Sequence, residues 1–413
     1  MKILFFASYP TLAIGYSRIA NILTNHLASL GHDVYYFGIS NFKNNLIDRY
    51  VHPSIHLIDA LEEERALGKN ELYGVNSICD WAEKIKPDIL FLYNDVIVIS
   101  RIFNNFAQRN LIRNFKTITY IDLVYPCEKL EILKHVNNYT DIFVVFSEYW
   151  KDNLIKMNIC DENKIKILYH GFDTDLFFQI DSADAKKYYG FDSDDFVVLN
   201  TNRNSYRKCI DKTIDAFVKF LKIKNMNSKI KLFLNMMLGS DDGSGCGDYN
   251  IINCIEISCA KYNVDFEKVK KNHIFIKGSE KLEDLQQNFL YNASDVGINT
   301  CIGEGFGLCN LEHGGLGKPQ IVSKTGGLSD IFSSSYAFVV EPQEQIYIPN
   351  NVDFHGGYMT IFSTDDYVNG LIKYYDDVEL RKTHGEHCSN LIKNKYNWKI
   401  ILDHLADIID DVY

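Results

Sequence analysis

The sequence predicts an α/β protein of two domains, each built around a parallel β-sheet with helices on its faces. Three observations favour this class. The chain has 413 residues, more than one hydrophobic core usually serves. Its first half alternates short apolar segments with amphipathic ones, a pattern typical of βαβ units. In the second half the short apolar segment 295–300 leads through a glycine-rich turn into a helical pattern that begins near Gly307.

The elements of the first half follow from this alternation. Strands are predicted at 2–7, 34–38, 88–93, 117–122, 142–147 and 165–169. Helices are predicted at 17–30, 76–86, 96–108, 128–136 and 149–157. In such a sheet the loops at the carboxyl ends of the strands form the binding crevice, and Gly15 lies in the first of these loops. By itself, a glycine ahead of a helix is more often only a turn.

The second half begins with a strand at 196–201 and a helix with apolar residues at 210, 214, 217, 218 and 221. Between them lie Arg203 and Lys208, five residues apart in a strand-to-helix loop. Both cations can therefore converge on one diphosphate, the arginine by a two-pronged contact and the lysine as a point charge. The alternative is a solvated surface. Further helices are predicted at 282–291, 364–375, 378–393 and 398–411, and the stretch 343–362 receives no assignment.

The glycine-rich turn carries two glutamates. Glu304 lies in the turn, and Glu312 follows after about one and a half turns of helix, so both carboxylates can face one crevice. A helix that begins near Gly307 directs its unpaired amides at the turn, where an anion such as a diphosphate can bind. Carboxylates repel phosphate but accept hydrogen bonds from sugar hydroxyls, so the arrangement indicates a nucleotide sugar. The alternative is a mobile loop with two solvated glutamates.

Composition limits the function classes. A net charge of −11 argues against a general nucleic-acid binder, which would carry a basic surplus. The ten cysteines show no C-x2-C spacing, so we expect reduced thiols, no metal site and a cytoplasmic protein. No apolar segment reaches the 18 or so residues that a membrane span requires.

A basic, aromatic stretch follows Asp95. Arg101, Arg109, Arg113 and Lys116 interleave with phenylalanines, and no acidic residue intervenes before Asp122. The favoured interpretation is a helix whose aromatic side chains face the core and whose cations are solvated. The second interpretation is a peripheral contact with an anionic membrane or an acidic acceptor glycan.

Together these motifs resemble the retaining glycosyltransferases of family 4, which have the GT-B fold, two Rossmann-like domains facing a central cleft. The segment Gly303–Glu312, followed by Gly317-Lys318-Pro319 and Gly326-Gly327, is similar to the E-x7-E region of that family. The resemblance implies an acceptor-side domain at 1–178 and a nucleotide-sugar-binding domain at 179–395. A last helix at 396–413 is then expected to pack back on the first domain.

The resemblance also implies roles for individual residues. Arg203 and Lys208 match the cations that neutralise the departing diphosphate, and Glu304 matches the catalytic glutamate that holds the hexose. The donor-binding positions are Gly15, Gly278, Leu282, Gly305, Phe306, Gly307, Leu308, Cys309 and Glu312, the last for the ribose. Weaker candidates for the acceptor or hexose side are Asp122, Ser147 and His170. For His170, a hydrogen-bonded histidine at a strand end is the favoured alternative.

Two departures from the family matter. Many members carry a His-Asp pair near the acceptor, but here Ile121 precedes Asp122, so no catalytic histidine is carried over. Asn202 stands before Arg203, where glycine is usual, which is similar to some mannosyltransferases and favours GDP-mannose over another GDP- or UDP-sugar. The family implies no metal, no other cofactor, and a glycan or other hydroxyl acceptor. The acceptor, the linkage and the oligomeric state are not indicated by any motif.

Two other functions remain open at this point. A sugar-nucleotide epimerase or a phosphorylase can share the two-domain architecture. A non-catalytic, glycan-binding descendant is favoured by the missing histidine but disfavoured by the presence of Arg203, Lys208, Glu304 and Glu312.

Overall fold

The computed structural model describes residues 1–43, 46–111, 115–239, 247–278 and 282–412. They form two compact units, one comprising Met1–His170 with Trp398–Tyr413 and the other Gly171–Asn397. Each unit is built on one parallel sheet with helices, so the predicted α/β class is confirmed.

The first unit contains a seven-stranded sheet in the order β3-β2-β1-β4-β5-β6-β7, and all neighbours are parallel. Its strands are β1 Lys2–Ser8, β2 Asp33–Ile39, β3 His56–Asp59, β4 Ile89–Asp95, β5 Lys116–Asp122, β6 Ile142–Val145 and β7 Ile165–Ile167. Its helices are α1 Gly15–Ser29, α2 Ala60–Ala66, α3 Ser77–Ile85, α4 Val96–Gln108, α5 Leu130–Asn137 and α6 Glu148–Lys156. The C-terminal helix Trp398–Val412 packs against α1 and β5.

All six strands and five helices predicted for the first half are present. The sequence did not indicate β3 and α2. β3 has only four residues at the outer edge of the sheet, and its first two side chains are exposed, so no apolar alternation marks it. α2 has only seven residues, too short for a helical pattern to be recognised.

The basic stretch of α4 follows the favoured interpretation. Phe103 and Phe106 are fully buried, Arg101 and Lys116 are exposed, and Arg109 is half-buried. Arg101 forms an ion pair with Glu71 at 2.8 Å, and Arg109 contacts Asp80 at 2.5 Å. Arg113 lies outside the described residues. Acidic partners already neutralise Arg101 and Arg109, so these two cations leave little net positive charge to attract an anionic surface. The membrane contact stays a prediction.

The second unit contains a six-stranded parallel sheet in the order β10-β9-β8-β11-β12-β13. Its strands are β8 Phe196–Asn200, β9 Ile230–Leu234, β10 Ile274–Ile276, β11 Val296–Asn299, β12 Gln320–Ser323 and β13 Phe338–Val340. Its helices are α7 Ser182–Tyr188, α8 Ile210–Ile223, α9 Ile251–Tyr262, α10 Phe266–Asn272, α11 Asp284–Asn292, α12 Leu308–Gly315, α13 Leu328–Ile331, α14 Thr364–Asp376 and α15 Val378–Lys395.

The stretch 343–362, which the sequence left without assignment, is an antiparallel hairpin outside the main sheet. Its strands are β14 Glu344–Ile348 and β15 Gly357–Ile361. The apolar positions predicted for α8 are buried in the core of this unit together with strands β8, β9, β11 and β12. That core fixes the sheet, and the carboxyl ends of its strands then carry the loops described below.

The nine cysteines of the described residues are free thiols. In the same part of the chain, no helix combines the length and the apolar character needed to cross a bilayer.

A buried carboxylate in the first unit generates a prediction about stability. Glu64 of α2 is fully buried and accepts hydrogen bonds from the amides and side chains of Asn76 and Ser77, at 2.7 to 3.0 Å, where α3 begins. We expect Glu64→Ala to lower the free energy of unfolding by about 1–3 kcal/mol, because buried donors lose their acceptor. Urea unfolding measures this.

The control for that prediction is Glu63→Ala, which removes the neighbouring carboxylate from Trp81 Nε1. That bond is only partly buried, so we expect a smaller loss. Equal losses for the two variants would contradict the role given to Glu64.

Candidate functional site

The glycine-rich turn connects β11 to α12. Gly307 precedes α12 with a φ of +95°, a left-handed conformation that favours glycine, and a Cβ there would collide with the side chain of Leu328. The helix therefore begins at Leu308, as the sequence predicted to within one residue. Its first amides, those of Leu308 and Cys309, have no partner within the helix and point toward the turn.

Two further glycines let the chain pass close to this turn. A Cβ at Gly326, which has a φ of +53°, would overlap the carbonyl oxygen of Glu304. A Cβ at Gly327 would collide with the backbone of Phe306. The amide of Gly327 donates to the carbonyl of Gly305 at 2.9 Å. The Gly326-Gly327 pair thus holds the Glu304 loop by backbone contact that no side chain would permit.

Glu304 is the centre of a buried charge cluster. Its carboxylate makes a short ion pair with Lys208 Nζ, and both side chains are buried. Arg207 Nη1 lies 3.5 Å from Glu304 Oε1 and donates to the carbonyl of Gly303 at 3.0 Å. Asn299 Nδ2 lies 3.4 Å from the other carboxylate oxygen. One buried negative charge is therefore surrounded by two cations and an amide.

The pKa of Glu304 shows which effect dominates. Burial alone would raise the pKa, but the charges of Lys208 and Arg207 and the hydrogen bonds from Lys208 and Asn299 outweigh it and lower the pKa to about 2. Glu304 is therefore ionised at neutral pH and can only accept hydrogen bonds.

Backbone hydrogen bonds join the loop of Lys208 to the loop of Glu304. The amide of Ile302 donates to the carbonyl of Arg207 at 2.9 Å. The hydroxyl of Thr300 lies 3.2 Å from the carbonyl of Lys208 and 2.9 Å from that of Cys209. The two loops, which follow β8 and β11 in the sheet, thus form one rigid support for the charge cluster.

Glu312 lies on α12 and is buried. The hydroxyl of Tyr291, in α11, donates a hydrogen bond to Glu312 Oε2 at 2.8 Å. The same hydroxyl accepts a hydrogen bond from Gln287 Nε2 at 2.7 Å. The phenol fixes the position of one carboxylate oxygen.

A chain of buried polar side chains runs beneath α12. Asn299 donates to Asn310 at 2.7 Å, Asn310 to Gln320 at 2.8 Å, and Gln320 Nε2 to His313 Nδ1 at 3.0 Å. His313 Nε2 therefore carries the proton and donates to Ser294 at 2.7 Å. Burial lowers the pKa of His313 well below its usual value, so the imidazole is neutral and serves as a structural link.

The remaining donor-side predictions fall at different places of the second unit. Arg203 is exposed, and the arginine that lies at Glu304 is Arg207. Gly278 follows β10 and Leu282 precedes α11, both partly exposed, while 279–281 lie outside the described residues. The structure thus brings together Lys208, Glu304 and the turn to Leu308, with Glu312 further along the same helix.

The other predicted residues belong to the first unit. Gly15 is exposed at the start of α1. Asp122, at the end of β5, accepts a short hydrogen bond from the hydroxyl of Tyr16. Burial, followed by the charge of Asp122, raises the pKa of Tyr16 well above its usual value, so the phenol stays protonated.

Ser147 and His170 have structural contacts. Ser147 is buried and caps α6 through the amide of Trp150 at 3.4 Å. His170 Nε2 lies 3.4 Å from the hydroxyl of Tyr93, and burial lowers the pKa of His170 to about 3. This is the hydrogen-bonded histidine at a strand end that the sequence analysis favoured as its alternative.

Sequence reasoning missed Arg207, Tyr291 and Tyr16. Arg207 directly precedes Lys208, but the loop does not tell which of its two arginines faces inward. Tyr291 lies 21 residues before Glu312, and Tyr16 lies 106 residues before Asp122, so neither pair leaves a local signal. The position of Tyr16 beside Gly15, at the start of α1 and directly after the loop that follows β1, was the one available sign.

One acidic group in the second unit has ligand-like spacing. Asp192, Asp194 and Asp195 bring their carboxylates within 4.8 Å of one another. Lys229 pairs with Asp192 at 2.9 Å and with Asp194 at 2.8 Å, so an ammonium group already neutralises two of the three. Within the described residues, this is the one such group.

Similar proteins are known for both the sequence and the fold of this chain. The sequence model of the family Glycosyl transferases group 1 matches residues 181–348. The capsular polysaccharide biosynthesis glycosyltransferase CapM of Staphylococcus aureus is 24% identical over 275 residues, which are 65% of this chain and 61% of CapM. The match thus spans less than two thirds of the length of that relative.

Solved structures show the fold. Sucrose-phosphate synthase (tll1590) from Thermosynechococcus elongatus has a TM-score of 0.73 at 17% identity, covering 100% of this chain and 98% of its own. Anabaena Alr3699/HepE, in complex with UDP and glucose, has a TM-score of 0.70 at 16% identity, covering all of both chains. The chain therefore has the GT-B fold, as the resemblance implied.

The charge cluster generates a prediction about stability. We expect Lys208→Met to lower the free energy of unfolding by about 3–5 kcal/mol, because it leaves the buried Glu304 poorly compensated. In the double variant Lys208→Met/Glu304→Gln, much of that loss should be recovered. Guanidinium unfolding of the two single variants and the double variant gives the coupling energy.

Lys219→Met is the control, because Lys219 of α8 pairs with Asp365 at the surface and should contribute at most about 1 kcal/mol. In the unsubstituted protein, the pKa of Glu304 is lowered, so its contribution is present above about pH 4.5 and is lost as pH falls toward about 2. Additive losses in the double variant would contradict the pairing.

Proposed function

Residues 181–348 of this chain match the sequence model of the Glycosyl transferases group 1 family, and from this match we propose that the protein transfers a hexose from a nucleotide diphosphate sugar to a hydroxyl acceptor. The anomeric configuration of the sugar is retained in the product. The acceptor is a glycan or another hydroxyl compound. This is the function that the geometry of the second unit supports best.

One observation carries the proposal: the buried carboxylate of Glu304 is held by Lys208 beside the N-terminal turn of α12. The amides of Leu308 and Cys309, with the dipole of the helix, favour an anion such as a diphosphate. The ammonium group of Lys208 has three donors, so it can hold Glu304 and also contact a phosphate oxygen. Sugar hydroxyls beside that anion find acceptors in the two glutamates.

The reaction breaks the bond between C1 of the hexose and the diphosphate oxygen, and it forms a bond between C1 and the acceptor oxygen. Negative charge develops on the departing diphosphate. Lys208, Arg203 and the amides at the start of α12 stabilise it, so we expect no metal requirement. The proton of the acceptor hydroxyl passes to the leaving phosphate, which needs no histidine at position 121.

The two glutamates then have separate tasks. Glu304 is ionised and rigid, so it accepts hydrogen bonds from hexose hydroxyls and orients C1. Glu312, positioned by Tyr291, accepts from the hydroxyls of the ribose. Arg207 acts through Glu304 and is a positioning residue. Gly305, Phe306 and Gly307 shape the turn, and Gly278 and Leu282 are proposed to contact the nucleotide base.

The N-terminal domain, proposed at 1–178, contributes to the acceptor side. Gly15 is proposed to approach the donor phosphates from the loop after β1. Asp122, with the phenol of Tyr16 as its partner, is proposed to hold a hydroxyl of the acceptor or of the hexose. Ser147 and His170 have weaker claims because both already serve structural contacts.

The donor is the least determined part of the proposal. The Asn202-Arg203 pair favours GDP-mannose, whereas Anabaena HepE has been solved in complex with UDP and glucose and with UDP-glucose. We therefore propose a GDP- or UDP-hexose, with GDP-mannose first. An epimerase, a phosphorylase and a non-catalytic glycan binder are the competing functions.

The test of this function is a donor screen followed by product analysis. In a screen of GDP-mannose, UDP-glucose and ADP-glucose, we expect GDP-mannose or UDP-glucose to raise the melting temperature, because a ligand at 100 times its Kd stabilises by about 2.7 kcal/mol. Proton NMR of the product should show an α-glycosidic bond from that α-linked donor. Conversion of the donor without acceptor to an epimer, or turnover only with a sugar phosphate, would contradict the proposal.

Glu312→Gln tests the ribose contact. We expect the Kd of the nucleotide sugar to rise about tenfold, because a hydrogen bond to a charged group contributes about 1.5–3 kcal/mol and the amide retains part of it. Isothermal titration calorimetry measures the change. Glu386→Gln, an exposed glutamate of α15, is the matched control. An unchanged Kd in Glu312→Gln would remove Glu312 from the donor site.

A further inference from the structure

The hairpin of β14 and β15 begins at the binding edge of the second unit. The site residues follow the carboxyl ends of β8 and β11, which neighbour each other in the sheet. The chain leaves the carboxyl end of β13 at Val340, at the same edge, and enters β14 at Glu344. In parallel sheets this edge is where ligands bind. The hairpin therefore starts on the ligand side of the sheet.

Hydrogen bonds connect the hairpin directly to the charge cluster. The amide of Thr360 in β15 donates to the carbonyl of Ile302 at 2.9 Å. The amide of Ile302 in turn donates to the backbone carbonyl of Arg207, also at 2.9 Å. Glu304 is two residues further along. At the base, Lys212 Nζ donates to the carbonyl of Phe362 at 2.7 Å. The hairpin is thus anchored beside the residues that we assign to the hexose.

The outer part of the hairpin exposes large apolar side chains. Phe354 is 63% exposed, Val352 67% and Tyr347 57%. Tyr347 and Tyr358 are register partners, with ring centroids 5.6 Å apart and edge to face. Such an exposed apolar patch on a folded protein marks an interaction surface. The match to the family ends at residue 348, so most of this patch lies beyond the matched part of the chain.

The charge of this segment limits what can bind. No lysine or arginine occurs between Lys324 and Lys373, whereas Glu341, Glu344 and Asp353 are acidic. An anionic membrane or a polyanionic glycan would be repelled. Aromatic rings give a flat apolar surface, and carboxylates accept hydrogen bonds from hydroxyls. These are the groups that a neutral sugar needs.

We propose that the β14–β15 hairpin is an additional acceptor-binding surface, on which Tyr347, Tyr358 and Phe354 pack against the rings of a neutral glycan. The inference rests on the proposed transferase function, because it assigns the acceptor to the side of Glu304 that the hairpin borders. The acceptor class is then a neutral oligosaccharide rather than a lipid or an acidic polymer.

The test uses the full chain on an array of neutral and acidic glycans, with the variant Tyr347→Ala/Phe354→Ala. We expect binding to neutral glycans, reduced at least tenfold in the variant. The control Tyr188→Ala removes a tyrosine of α7 that is 55% exposed. Binding only to acidic glycans, no binding, or equal binding by the variant would each overturn the inference.

Two companion measurements distinguish a lipid or a second copy of the chain from a glycan, and failure of the hairpin proposal from failure of the transferase proposal. If the unsubstituted protein co-sediments with phosphatidylcholine vesicles and the double variant does not, the surface binds lipid and the inference is overturned. If light scattering shows a dimer that the double variant abolishes, the surface binds a second copy and the inference is likewise overturned. Hydrolysis of the donor that passes the melting screen, without acceptor, should be unchanged in the variant. If the unsubstituted protein does not hydrolyse the donor, that result would count against the transferase function and not against the hairpin.

Discussion

The candidate site depends on one interaction, the burial of the Glu304 carboxylate against Lys208 and Arg207. Removing a charge from water costs several kcal/mol, and only well-placed opposite charges offset that cost. The two loops that carry these groups are therefore held in one relative position. The hydrogen bonds of Thr300 and Ile302 to the other loop stabilise that position. Any ligand in this site meets side chains whose positions are already fixed, so little ordering is required on binding.

The same constraint explains the glycines around the turn. Because Glu304 must lie deep, its own carbonyl is pressed against Gly326, where a Cβ would overlap it. Gly307 reverses the chain so that α12 directs its amides at the same point. Charge burial, close backbone approach and the helix dipole thus converge on one place. Lys208, which pairs with Glu304, is also one of the two cations that we propose for the diphosphate.

The sequence indicated most of the fold for a definite reason. Parallel strands covered by helices have continuous apolar segments, and the helices have a regular apolar stripe, so both are marked locally. β3 and the hairpin carry few buried side chains, and the local pattern is weak there. In the site, the glycine-rich turn and the positions of Glu304 and Glu312 were readable, because glycines and a helix start are encoded within ten residues.

By itself the sequence determined the two-sheet class, the helix start after Gly307, and the presence of a cation pair and an acid pair. Only the tertiary structure decided that Arg207 lies at Glu304 while Arg203 is exposed, and that Tyr291 holds Glu312. Arg207 and Glu304 are 97 residues apart, and they meet because β8 and β11 are neighbours in the sheet. Local patterns encode periodicity, whereas the choice among nearby side chains depends on which strands pair.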